Sequence, residues 1–255
     1  MVQGTGRGLS SRLPVWRVEA SGVGPPEPAA EDDWRPPADW YRQVPAVAQV
    51  LDEGWDLSAV TVLVGENGAG KSTLVEGVAG AFGMGPEGGS TGSRHSTRPT
   101  ESALADELKL LRGAGAPRRG FFLRAETMHG FYTYLEEHPG GSDPDFHEMS
   151  HGESFLALIG NRMMKPGFYV LDEPESALSF TGSLALLQHL HELASGGSQV
   201  LLSTHSPLLA ALPGAQVWEV GEWGMRRCAW EDLELVQAWR GFLDSPQRYL
   251  RHVLT

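Results

Sequence analysis

The sequence predicts an α/β fold with a mainly parallel central sheet flanked by helices. First, the apolar segment 59–64 leads into a glycine-rich loop, and a helical segment, 72–79, follows the loop. Second, three further apolar segments, 120–124, 167–171 and 199–204, have the composition of buried strands and end at polar or acidic residues. Third, a helical pattern at 182–193 separates the last two of these strands, as parallel pairing requires.

Composition indicates one large domain of 255 residues with an acidic balance. The formal net charge is −12, from 20 Lys and Arg against 32 Asp and Glu, which argues against a strongly basic nucleic-acid-binding protein. A local basic groove stays open, with Arg118 and Arg119 as candidates. The single cysteine, Cys228, permits no internal disulfide and fits a reducing, cytoplasmic setting. No apolar run approaches 18 residues and residues 1–11 lack an apolar core, so neither direct membrane insertion nor a signal peptide is expected.

The glycine-rich loop runs from Gly65 to Ser72 and fits the phosphate-loop pattern G-x-x-x-x-G-K-[ST]. Its backbone N–H groups and the following helix N-terminus would cradle the phosphates of a nucleotide. Lys71 would reach the β- and γ-phosphates, and the Ser72 hydroxyl would ligate Mg²⁺. The alternative is an ordinary glycine-rich turn. The predicted nucleotide-binding residues of this loop are Glu66, Asn67, Gly68, Ala69, Gly70, Lys71, Ser72 and Thr73.

An acidic pair, Asp172 and Glu173, ends the apolar strand at 167–171. Ligands of parallel sheets bind at the carboxyl ends of the strands, and buried carboxylates are costly unless they serve a cation or a reaction. Asp172 would therefore hold Mg²⁺, directly or through water, and Glu173 would orient and deprotonate an attacking water. Two solvated acids at a strand end are the alternative.

Two more features each allow a structural and a functional interpretation. His205 follows the strand at 199–204, where it would sense a γ-phosphate or simply be a loop histidine. Ser150 and Glu153 form an S-x-x-E capping box at a helix start, which also suits anion binding. Taken alone, the capping box favours an ordinary helix start.

The rest of the chain predicts scaffold elements. In chain order they are an edge strand at 15–18, a Pro-rich surface insertion at 22–39, a short helix at 40–51, a helix at 102–112, a hairpin at 217–220 and 225–230, and closing helices at 231–254. Trp16, Trp34, Trp40 and Tyr41 each offer a ring for stacking on a base, but core or surface packing is the favoured interpretation.

In this order, the motifs resemble those of the ABC-type ATPases from about residue 59 to the C-terminus. The segment M-S-H-G-E at 149–153 is similar to the family signature L-S-G-G-Q, and Asp172-Glu173-Pro174 is similar to its Walker B strand. Glu126 matches the position of the Q-loop glutamine, and His205 matches the switch histidine. The segments at 121–126, 150–155 and 203–207 also resemble a group of stand-alone bacterial predicted ATPases, related to SMC- and RecF-type heads.

The resemblance implies a P-loop NTPase head with an antiparallel N-terminal β element and an inserted helical lobe at about 95–165. It implies two copies facing head to tail with two ATP molecules between them, so that Ser150, Gly152 and Glu153 of one subunit contact the ATP of the other. On this basis the capping box is interpreted as a nucleotide contact. The resemblance also implies a place near Mg²⁺ for Glu126.

Several positions depart from the family pattern. Glu126 and Glu153 replace glutamines, His151 replaces a glycine, and Ser179 replaces the D-loop aspartate. Transporter ATPases usually keep L-S-G-G-Q and the Q-loop glutamine, so a non-transport role is favoured. The short segment between the phosphate loop and the signature leaves no room for a long coiled coil.

The functional hypothesis is therefore a soluble, Mg²⁺-dependent ATPase that forms an ATP-dependent homodimer and acts on an unidentified effector protein or nucleic acid, in nucleic-acid maintenance or defence. One alternative is an ATP-gated binding module that hydrolyses slowly. Another is the ATPase subunit of a transporter.

Overall fold

The computed structural model describes residues 12–24, 39–85, 88–91, 103–127 and 151–254. Within these ranges the strands are β1 (Arg17–Ala20), β2 (Trp55–Asp56), β3 (Val60–Gly65), β4 (Gly89–Ser90), β5 (Leu108–Leu111), β6 (Gly120–Arg124), β7 (Phe168–Asp172), β8 (Gln199–Thr204), β9 (Gln216–Gly221) and β10 (Gly224–Arg227). The α-helices are α1 (Pro45–Glu53), α2 (Lys71–Phe82), α3 (Leu104–Glu107), α4 (His151–Arg162), α5 (Phe180–Ser195), α6 (Pro207–Ala210), α7 (Glu234–Asp244) and α8 (Pro246–Val253).

The described strands form a central seven-stranded sheet in the order β10-β9-β3-β8-β7-β6-β4. The five inner strands run parallel, and β4 and β10 pair antiparallel at the two edges. This architecture confirms the predicted α/β fold with a mainly parallel sheet. Because the inner strands are parallel, their carboxyl ends, including Gly65, Arg124, Asp172 and Thr204, lie along one edge of the sheet.

Alternate residues of the inner strands point to opposite faces, and each face is covered by helices. On one face Val62 and Leu202 belong to the apolar cluster that contains Leu186 of α5. On the other face Leu63 belongs to the cluster that contains Leu74 of α2. Apolar burial on both faces explains why these strands are continuous apolar runs, and it holds their carboxyl ends in fixed positions.

A second, three-stranded antiparallel sheet has the order β2-β1-β5 and forms the predicted N-terminal β element. The strand predicted at 15–18 lies at 17–20, and it is the central strand of this sheet, so its prediction as an edge strand is wrong. The predicted helix at 102–112 is also wrong in its second half, because the helix ends at Glu107 and residues 108–111 pair with β1. Leucines at 104, 108 and 111 fit a helical period, but backbone pairing with β1 decides the outcome.

The range 95–165, predicted as an inserted helical lobe, is described only at 103–127 and 151–165. Its described residues are not all helical, since β6 lies between β4 and β7 in the central sheet. Residues 128–150 lie outside the described part of the chain, as does most of the predicted insertion at 22–39. Among the described helices, none combines the length and apolar character that a membrane-spanning helix needs.

Candidate phosphate-binding and catalytic site

The glycine-rich loop connects the end of β3 to the start of α2, which is the context that its motif requires. Two of its glycines have positive φ angles, 80° at Gly68 and 97° at Gly70. L-residues rarely adopt such angles, so the loop depends on glycine to turn sharply into the helix. Val44, just before α1, packs against Gly70 so closely that a Cβ built there would lie 2.2 Å from Val44 Cγ1.

Lys71 is the first residue of α2, and its side chain is buried inside the site. Its Nζ donates a hydrogen bond to the Glu66 carbonyl oxygen at 3.0 Å, lies 2.9 Å from His205 Nε2 and lies 3.8 Å from Glu173 Oε1. Burial lowers the pKa of Lys71, and the nearby Glu173, Asp172 and Glu175 carboxylates oppose that shift. The ammonium group therefore lies among acceptors that a bound phosphate would replace.

Asp172 ends β7, and its side chain is 4% exposed. The carboxylate accepts a hydrogen bond from the Ser203 hydroxyl, on the neighbouring strand β8, and the Ser72 hydroxyl lies near enough to lower its pKa. Burial raises the pKa of Asp172, and Glu173 adds to this rise, while Ser203, Arg124 and Ser72 lower it. The contact between Asp172 and Ser72 brings together the two oxygen donors predicted to hold Mg²⁺.

These two donors suit a Mg²⁺ ion that is also bound by phosphate and water, rather than a metal ion held by protein ligands alone. Among the described residues, no group of three or more His, Cys, Asp and Glu side chains is arranged to hold a metal. Magnesium is usually held by one or two carboxylates together with substrate phosphates and water. Asp172 and the Ser72 hydroxyl, next to a phosphate loop, match that pattern.

Glu173 has an unusual backbone. Its φ of 48° makes it the one non-glycine residue with positive φ in the described part of the chain. The turn is held by hydrogen bonds from its N–H to the Ser203 carbonyl at 3.1 Å and from the Ser176 hydroxyl to its own carbonyl at 2.9 Å. Strained backbone of this kind concentrates at functional sites. Its consequence here is to direct the carboxylate toward His205, with Oε1 2.9 Å from Nε2.

His205 lies between the two catalytic candidates, since its Nε2 is 2.9 Å from both Lys71 Nζ and Glu173 Oε1. A protonated Nε2 donates to Glu173, whereas an unprotonated one accepts from Lys71. The loop is fixed by Glu175, whose Oε1 accepts from the Thr204 hydroxyl at 2.8 Å and from the His205 N–H. Glu175 is not among the predicted site residues, although its position two residues after Glu173 places a third acid at the same strand end.

Arg124 is a second residue that the sequence analysis did not single out. It ends β6, pairs in register with Asp172 and contacts the carboxylates of Glu76, Glu126 and Asp172. Glu126, predicted near Mg²⁺, follows in a 3₁₀-helix at 125–127; its side chain is 77% exposed and lies 3.2 Å from Arg124. The signal in the sequence that could have identified Arg124 is its position at the end of an apolar strand.

The predicted signature residues are only partly described. Gly152 and Glu153 lie in the first turn of α4, whereas Ser150 lies outside the described residues. A Cβ built at Gly152 would lie 3.6 Å from the Ala177 carbonyl oxygen, so the start of α4 is next to the turn that follows Glu173. Ser179, where the family pattern has aspartate, caps α5 by accepting a hydrogen bond from the Gly182 N–H at 3.2 Å.

The comparisons with known proteins agree with this geometry. The family model described as "AAA domain, putative AbiEii toxin, Type IV TA system" matches residues 134–211. The zinc import ATP-binding protein ZnuC of Vibrio cholerae is 31% identical over 150 residues, which cover 57% of this chain and 56% of that protein. Over this region the chain is similar to the ATP-binding proteins of ABC transporters. It is also 27% identical, over 183 residues, to an uncharacterized ABC transporter ATP-binding protein of Haemophilus influenzae, covering 62% of this chain and 68% of that one.

Among solved structures, the domain is similar to the SMC head domain from Thermotoga maritima, with a TM-score of 0.41, 16% identity and coverage of 69% of this chain and 93% of that chain. The chain spans little more than half the length of the V. cholerae relative.

Proposed function

We propose that this chain binds Mg²⁺-ATP and hydrolyses it to ADP and phosphate. The observation that carries the proposal is the meeting of Lys71, Ser72, Asp172, Glu173 and His205 at the carboxyl end of one parallel sheet. Each side chain offers the group that its motif requires, and the distances join them into one site. Phosphoryl transfer depends mainly on positioning and charge stabilisation, which such a site supplies.

In this proposal the chain's own groups have separate tasks. Lys71 neutralises phosphate charge, and Ser72 and Asp172 would hold the Mg²⁺, which would supply further positive charge for the phosphates. Glu173 accepts the proton of the attacking water, and His205 contacts the γ-phosphate and reports its loss. The contacts of His205 with both Lys71 and Glu173 support this role, because one side chain touches the phosphate-binding and proton-accepting groups.

We further propose an ATP-dependent head-to-tail homodimer in the cytoplasm. Ser150, Gly152 and Glu153 of one copy would contact the ATP held by the other. The position of Gly152 beside the turn after Glu173 supports this, because both segments would belong to one nucleotide-facing surface. An unidentified effector protein or nucleic acid would use the dimerisation, and the description of the matching family model supports a defence setting.

The test uses Glu173→Gln, in which the geometry is kept and the proton acceptor is lost. We expect ATP binding to persist, hydrolysis to slow by about a hundredfold or more, and the variant to shift from monomer to dimer with Mg²⁺-ATP in size-exclusion chromatography with light scattering. Lys71→Ala is the matched control, which should bind ATP about a hundredfold more weakly. Normal turnover in Glu173→Gln would contradict the catalytic assignment, and a monomer with ATP bound would contradict the homodimer.

A second candidate is the ATPase subunit of a transporter. It is favoured by the relatives named as a zinc import ATP-binding protein and an ABC transporter ATP-binding protein. In that case the isolated chain should bind ATP, remain monomeric and gain activity only with a membrane partner. An ATP-induced homodimer that hydrolyses without a partner favours the first proposal.

A further inference from the structure

Arg124 bridges three carboxylates that come from three different elements. Its Nη1 lies 3.1 Å from Glu76 Oε2, its Nη2 lies 3.2 Å from Glu126 Oε2, and its Nε lies 3.7 Å from Asp172 Oδ2. The Arg124 side chain is 23% exposed, so its interactions are partly shielded from water. A guanidinium group suits such bridging because its donors point in fixed, divergent directions.

All three carboxylates lie around the Mg²⁺ site of the proposed function. Asp172 is near the Ser72 hydroxyl, which lowers the pKa of its carboxylate. Glu76 is four residues beyond Ser72 in α2, so the two side chains share one face of the helix. Glu126 lies two residues after Arg124, in the 3₁₀-helix that follows β6.

Without Arg124, these carboxylates would place three negative charges beside an anionic triphosphate. Their mutual repulsion, and their repulsion of the phosphates, would oppose nucleotide binding until a cation arrived. Arg124 contacts Glu76, Glu126 and Asp172, whereas Lys71 contacts the neighbouring Glu173. Lys71 is positioned toward Glu173 and His205, and Arg124 is positioned toward the acids on the magnesium side.

We propose that Arg124 is a positioning residue that balances the charge of Glu76 and Glu126 and holds the Asp172 carboxylate beside Ser72. The inference rests on the proposed Mg²⁺-ATP site, in which Arg124 supplies a fixed positive charge that balances the acidic side chains. Arg124 thereby sets how strongly nucleotide binding depends on Mg²⁺. Removing Arg124 makes the site more negative, whereas neutralising Glu126 makes it more positive.

The measured quantity is the dissociation constant of a fluorescent ATP analogue in excess EDTA divided by its dissociation constant in excess Mg²⁺. This ratio is the coupling between metal and nucleotide, and it needs no turnover. In Arg124→Gln, metal-free ATP should bind much more weakly while Mg²⁺-ATP loses less, so the ratio should rise roughly tenfold. In Glu126→Gln the ratio should fall by only about threefold, because the Glu126 side chain is 77% exposed and its charge is screened by water.

Two further variants separate charge from structure. The double variant Arg124→Gln with Glu126→Gln restores the net charge, so its ratio should return to within about threefold of the wild-type value. Arg124→Lys keeps the charge and should keep the ratio near that of the wild type. Arg17→Gln is the matched control, because Arg17 also pairs with carboxylates, Glu19 and Asp56, but lies in the small sheet.

The outcomes distinguish this inference from the function on which it rests. A wild-type protein whose ATP affinity does not respond to Mg²⁺ would contradict the proposed function itself. With a wild type that does respond, equal losses in EDTA and in Mg²⁺ for Arg124→Gln would assign Arg124 a purely structural role and overturn the inference. An unchanged ratio in Glu126→Gln would overturn it too, and that variant alters an exposed side chain, so folding does not limit the test.

Discussion

Replacing Gly70 by alanine tests how the scaffold shapes the phosphate loop. Gly70 has φ = 97° and ψ = 9°, and an added Cβ would lie 2.2 Å from Val44 Cγ1. Two costs follow. The left-handed backbone conformation costs about 1–2 kcal/mol for an L-residue. The overlap with a β-branched valine, which has little freedom to move aside, costs about 1–3 kcal/mol more.

Gly68→Ala provides the matched control within the same loop. Gly68 also has positive φ, at 80°, but nothing lies within 4 Å of a Cβ built there. We therefore expect the free energy of unfolding to fall by about 1–2 kcal/mol in Gly68→Ala and by about 2–5 kcal/mol in Gly70→Ala. The difference between the two variants isolates the contact with Val44.

The assay is urea unfolding without nucleotide, followed by circular dichroism, with Val44→Ala and the Val44→Ala, Gly70→Ala pair to complete a double-mutant cycle. Val44→Ala removes both γ-methyl groups, so the added methyl at 70 should then cost little beyond its backbone conformation. We expect a favourable coupling of about 1–3 kcal/mol. Equal losses in Gly68→Ala and Gly70→Ala, or a cycle with no coupling, would refute the reasoning that Val44 braces the loop.

Three other predictions follow from single side chains. Lys71→Ala should lose nucleotide affinity by about a hundredfold in a fluorescence titration, because the buried ammonium group is the phosphate partner; unchanged affinity would contradict the phosphate-loop assignment. Gln199→Leu should lower the free energy of unfolding by about 2–4 kcal/mol in urea, because Gln199 accepts from the Val15 N–H at 2.8 Å and is 1% exposed; a neutral effect would show that this bridge contributes nothing net. Burial and the Glu107 carboxylate raise the pKa of Tyr41 above its ordinary 10.0, so its stabilising contribution is complete below about pH 10 and is lost as the pH rises further. Tyr41→Phe should therefore weaken the alkaline loss of stability in pH-dependent melting, and an identical pH profile would contradict this.

The sequence was sufficient wherever local pattern controls structure. Residues 60–65 and 199–204 form the expected buried strands. A continuous run of apolar residues suits a parallel strand because helices cover both faces of the sheet. The helix predicted at 72–79 after the phosphate loop is also present, and it begins one residue earlier, at Lys71. These segments carry their own signals within about a dozen residues.

Local pattern failed where a distant strand decided the outcome. Residues 108–111 have leucines at helical spacing, yet they extend because β1 supplies a partner nearly ninety positions away along the chain. Tyr41 packs in the core, as the favoured interpretation predicts, but its hydroxyl donates to Glu107, which lies 66 positions away. Neither partner is visible in a window around the residue itself.

The same distinction holds at the site. By itself the sequence predicted which residues would carry the chemistry, because the motif types at Lys71, Ser72 and the Asp172-Glu173 pair indicate phosphate-binding, metal-binding and proton-accepting groups. Only the tertiary structure decided what each contacts. Strand order brings His205 to within 2.9 Å of Lys71, 134 positions away, and parallel register aligns Arg124 with Asp172. The reason is physical: side-chain chemistry is local to a residue, whereas the neighbours that set its charge environment depend on how distant strands pair.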